Sequence, residues 1–85
     1  MKLVISAADA QPGGLPEALR EAERLIAERR PEIVVLADDS DFALAAALVA
    51  LKALVPVEVE PGAIEGSGTN ARLIAQLAPS YTAPG

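Results

Sequence analysis

The stretch from residue 31 to residue 61, PEIVVLADDSDFALAAALVALKALVPVEVEP, constrains the fold most, because it reads as one strand–helix–strand unit. Residues 33–37 are a continuous apolar run rich in β-branched side chains, bounded by Pro31 and an acidic cluster. Residues 42–54 are too long for a strand and dense in Ala and Leu, and they follow Ser40 and Asp41, either of which can cap a helix. Residues 55–59 are a second strand, closed by Pro61-Gly62. Two parallel strands need a crossover of this kind, normally right-handed. The expected fold is a single α/β domain over residues 1–85, with a small Rossmann-like parallel sheet of three to four strands and three helices.

The flanking sequence fits that frame. Residues 2–6 read as a first strand, with Leu3 and Ile5 on one side and Lys2, Val4 and Ser6 on the other. After a glycine-bearing loop, Pro16 suits a helix start, and Leu15, Ala18, Leu19, Ala22, Leu25 and Ile26 form one apolar stripe. Glu17–Arg20 and Arg24–Glu28 stand at pairing distance on the opposite side, and Pro31 stops the helix. In the second helix Lys52 marks the solvent side, with Asp41, Ala45 and Val49; Leu44, Ala47, Leu51 and Leu54 are expected to face the sheet. Val49 with Leu48 beside it would suit a partner. A third helix through Asn70, Leu73, Ile74 and Leu77 can be capped by Ser67 or Thr69, and Tyr81-Thr82-Ala83 reads as a fourth short strand.

Composition excludes several function classes. The chain has no Cys and no His, which removes thiolate metal sites, the commonest zinc ligand and the commonest general base. A net charge of −5, with one Phe and one Tyr, argues against nucleic acid, since tracking phosphates needs clustered Lys and Arg. The first residues lack the long apolar region of a signal peptide, and residues 42–54 fall short of the roughly 20 apolar residues that span a bilayer. A soluble, cytoplasmic protein with no membrane partner is the expectation.

In parallel α/β folds the ligand crevice lies beyond the carboxyl ends of the strands. The residues delivered there are Asp39 and Ser40 after the second strand, Glu60 after the third, and the loop Gly66-Ser67-Gly68-Thr69-Asn70. The loop is either a capped helix start or a cradle of N–H donors for an anion. The acidic run 38–41 has three readings. It is a helix cap with favourable dipole charge, an Mg²⁺ site built from Asp39 and Asp41, or a single carboxylate contacting a hydroxylated ligand. The Mg²⁺ reading resembles the DxD of Toprim domains, although those place a Glu after the first strand where this chain offers only Asp9.

A second resemblance covers more of the chain. Residues 31–85 are similar to the second half of the N-terminal Rossmann-like domain of UDP-N-acetylglucosamine 2-epimerases and, more distantly, of MurG-type (GT-B) glycosyltransferases. That family carries "PD" before a strand, then Gly-Asp-Thr, an Ala-rich helix, "IPV", "VEAG", a loop to Asn-Arg, and "FAPT". Here the order is Pro31-Glu32, Asp38-Asp39-Ser40, the Ala-rich helix, Val55-Pro56-Val57, Val59-Glu60-Pro61-Gly62, Asn70 and Tyr81-Thr82-Ala83-Pro84. The resemblance implies roles for Asp39 and Glu60. The family's His after "IPV" has no counterpart, the Glu before Asn-Arg falls at Gly68, and the second domain that supplies most nucleotide binding does not match any part of the chain.

The expectation is therefore a small non-catalytic binding or assembly module without a cofactor. It self-associates, and it has a small-molecule site for a hydroxylated or nucleotide-sugar-like ligand at Asp39, Ser40, Glu60 and Gly66 to Asn70. The alternative is an Mg²⁺-dependent phosphoryl-transfer or hydrolytic enzyme using Asp39 and Asp41. If strand order follows chain order, all helices lie on one face, and the other, with Val4 and either Val34 or Leu36, lacks a cover.

Overall fold

Three short strands rich in β-branched residues set the frame. The computed structural model describes residues 1–9, 13–64 and 68–78. Strands β1 (Lys2–Ile5), β2 (Ile33–Leu36) and β3 (Val57–Val59) form a parallel sheet in the order β1-β2-β3. Helices α1 (Leu15–Arg29), α2 (Asp41–Lys52) and α3 (Thr69–Leu77) follow them in turn, with a short 3₁₀ turn at Ala7–Asp9. The fold is α/β, compatible with a small Rossmann-like unit. The expected fourth strand, Tyr81 to Ala83, lies outside the described residues.

Helix α1 starts with Gly14 as cap and Pro16 in its first turn, and ends where Arg30 turns left-handed and donates its N–H to the Ile26 carbonyl at 3.0 Å. Its outer face pairs Arg20 with Glu17, and Arg24 with both Glu21 and Glu28, the last at 2.9 Å. The hydroxyl of Ser40 caps α2 by accepting the Ala43 N–H at 3.1 Å, so the cap is Ser40 and Asp41 is the first helical residue. The cap of α3 is Gly68, with no side-chain bond; Thr69 already belongs to the helix, and Ser67 lies outside the described residues.

The core lies on one side of the sheet. Leu3 and Ile5 of β1, Val34 and Leu36 of β2, and Val57 of β3 join one cluster with Ala22 and Ile26 of α1 and Ala71 and Ile74 of α3. At its centre are Phe42, Leu44 and the alanines of α2, which touches all three strands and both other helices. Chain-order strands with same-handed crossovers give this one-sided arrangement. Ala45, expected to face water, is fully buried, because α2 is enclosed by α1 and α3 as well as by the sheet. Leu54, expected to face the sheet, is instead 90 % exposed, because α2 ends at Lys52 and the chain turns outward before reaching it.

The other face carries Lys2, Val4, Ile33, Val35 and Glu58, and no described helix lies on it. Val4 is on this face, as expected, and is 46 % exposed. Its companions from β2 are not Val34 or Leu36, which the helices cover. Residues paired in register share a face, and Val4 pairs with Val35. Val35 is itself buried, yet it stands outside the helix-side cluster.

Candidate functional site

The sheet delivers three segments to its carboxyl edge, and hydrogen bonds tie them together. Asp38, directly after β2, accepts the Ala7 N–H through Oδ2 at 2.7 Å and the Ser40 N–H through Oδ1 at 3.1 Å. The carboxylate thus staples the end of β1 to the start of α2. Partial burial raises the Asp38 carboxyl, but the Ser40 hydroxyl and the N–H groups of Ala7 and Ser40 stabilise the charged form more, so it sits below its ordinary value.

Asn70 makes the second tie. Its side-chain amide donates to the Asp39 carbonyl at 3.1 Å and to the Asp41 Oδ1 at 2.8 Å. Both donors of one amide group are therefore spent holding α3 against the β2–α2 connection. At the third strand, the Glu60 N–H continues the ladder onto the Leu36 carbonyl at 3.0 Å, and the Glu60 carbonyl accepts the Ala63 N–H at 3.0 Å. That turn has Pro61 second and Gly62 third, the latter at φ 81°, a left-handed position that suits glycine.

The proposed ligand residues thus separate into two groups. Ser40, Asn70 and Asp41 are close together but occupied, as helix cap, amide latch and latch acceptor. Among the described residues the carboxylates of Asp39 and Glu60 make no hydrogen bond or ion pair; Asp39 is half-buried and Glu60 exposed. Leu36 pairs with Val59, so Glu60 stands level with Ala37, two residues short of Asp39 on the neighbouring strand. Gly68 and Thr69 are exposed at the start of α3, while Gly66 and Ser67 lie outside the described residues. Among the described residues no three metal-ligating side chains cluster, and no polar or charged residue is buried.

Sequence reasoning marked Val49 with Leu48 as a surface for a partner, and missed the groove that α1 completes beside them. A cavity of about 410 Å³ lies there, lined by Ile26, Ala27, Pro31, Val49 and Val55 with Glu23 and Arg30 at its rim. A second, of about 270 Å³, adjoins it through Glu23 and Val49 and reaches Leu19, Leu48 and Lys52. One signal was readable. Helix α2 ends in Lys52-Ala53-Leu54-Val55-Pro56, without the glycine that usually takes the left-handed turn after a helix.

Compared with protein-family models, curated proteins and solved structures, the chain matches none of them. No helix among the described residues is long and apolar enough to cross a membrane.

Proposed function

We propose that this chain is a non-catalytic binding and assembly module that works through apolar surface and associates with itself. One observation carries the reading. The polar side chains gathered at the carboxyl edge are largely consumed in holding the fold, whereas Val4 stands open on the sheet face that carries no described helix and Leu48 stands open along the α1–α2 seam. Leaving a large apolar side chain in water forgoes roughly 1.5–3 kcal/mol, which matters in a domain of this size. The helix-free face offers Val4, and the seam offers Leu48 and Leu54.

A second reading rests on Asp39 and Glu60, the two carboxylates at the carboxyl edge without partners. They suit a hydroxylated ligand, sugar-like as the epimerase resemblance implies, better than a bare phosphate, which their charge repels. The Mg²⁺-enzyme alternative is weaker, because the Asp41 carboxylate is already engaged by the Asn70 amide. Amide chemical-shift mapping tests these readings together. Dilution of the chain alone should move resonances of the seam or of the helix-free face. Shifts on adding simple sugars or nucleotide sugars, confined to Asp39, Glu60 and Gly68, would favour the second reading. Turnover of a UDP-sugar by the purified chain, abolished by Glu60→Gln, would overturn the non-catalytic assignment.

A further inference from the structure

Leu54 is unfavourable in two ways at once. It is 90 % exposed, and it holds φ at 62°, a left-handed conformation that a branched side chain rarely adopts. Its turn is a helix-terminating one, with the Leu54 N–H on the Leu51 carbonyl at 3.1 Å and the Val55 N–H on the Ala50 carbonyl at 2.8 Å. Glycine would serve that turn better, so the turn does not explain the leucine. Backbone outliers of this kind point toward function.

The neighbouring charges repeat the anomaly. Glu17 and Glu28, exposed on α1, and the part-buried Glu21 are paired within the helix by Arg20 and Arg24. Glu23, Arg30 and Lys52, which line the α1–α2 groove, make no ion pair among the described residues. The groove therefore carries Glu23 part-way along and Arg30 at its end, with Lys52 a second cation beside Glu23.

We propose that the occupant of this groove is a second copy of the chain, docked antiparallel about a two-fold axis; the inference rests on the assembly reading above. The pattern of charge selects this partner. Glu23 lies on α1 and Arg30 caps its end seven positions on, about 10 Å along the helix axis. An axis midway between them falls between Ile26 and Ala27, which both line the cavity. Rotation about it brings each Glu23 to the Arg30 of the other copy, so both unpaired charges are satisfied twice by one symmetric contact. The same rotation carries Leu54, whose neighbours Ala53 and Val55 line the Arg30 end, toward the Leu19–Leu48 end of the other copy. The two-helix face is roughly 22 by 20 Å. That is small beside the ~800 Å² per partner of a standard interface, the size class of weak and transient contacts.

Sedimentation equilibrium on the whole chain tests the geometry, with melting temperature as a control. Leu54→Gly should weaken dimerisation at least tenfold while leaving the melting temperature of the dilute chain unchanged or higher, a combination that loss of fold cannot produce. Glu23→Arg and Arg30→Glu should each weaken the dimer, and the double exchange should restore it. A dimer unaffected by all four variants would overturn the groove and leave self-association to the helix-free sheet face. A wild-type chain that stays monomeric at high micromolar concentration would overturn this inference and the assembly reading together.

Discussion

Asn70 shows how far a residue's role depends on what its amide meets. Standing near a glycine-bearing loop, it suggests a ligand contact; in the fold, both its donors go to the β2–α2 connection. Asn70→Ala should therefore destabilise the chain by about 1–2 kcal/mol, the usual cost of lost hydrogen bonds and unmet acceptors. Denaturant unfolding measures it, and Asp41→Ala should give a smaller loss because the Asp39 contact survives. Asp38 adds a pH dependence. Its folded carboxyl lies below the ordinary value of 3.8, so its contribution is fully present above that value and is lost as pH falls through the lowered one. Melting curves in acid should show wild type losing stability over that range and Asp38→Asn losing less. Neither tie was legible beforehand, since each joins residues about thirty positions apart.

At the scale of the elements, the sequence was more informative. The β-branched runs, the Ser40 cap, Pro31 and Pro61-Gly62 mark three strands and two crossover helices, because each acts locally on the backbone. What pattern alone misjudged was α2. Ala45 was placed on the solvent side, yet it is fully buried, as are Ala43, Ala46 and the sheet-facing Ala47. Small side chains there let α1, α3 and the sheet approach the helix closely. Ala45→Leu should accordingly destabilise by about 1–3 kcal/mol, despite adding apolar surface, because a filled core resists extra volume. Thermal or denaturant unfolding would read this. A neutral result would mean that the helix has space beside it. Leu54 was misplaced for a related reason: helical periodicity assigned it a face two residues beyond the last helical residue.

Among the described residues the chain is a two-layer unit, with the helices on one side of the sheet and no helix on the other. Strand order decides this, and strand order is not written in the local pattern; only the conditional consequence could be drawn from the sequence. Phase along β2 then decided which residues the open face received, Val35 and Ile33 in place of Val34 or Leu36. The groups without an evident task inside this unit are the Asp39 and Glu60 carboxylates, the rim charges Glu23, Arg30 and Lys52, and the exposed Leu54. Most of these lie on surfaces that another copy can cover, and few lie where a reaction would be assembled. The central claim is therefore assembly, and sedimentation equilibrium of the unmodified chain from low to high micromolar concentration tests it most directly. The weight-average mass should rise with concentration from the 8.7 kDa of one chain toward twice that value. A mass that stays at one chain throughout would contradict it.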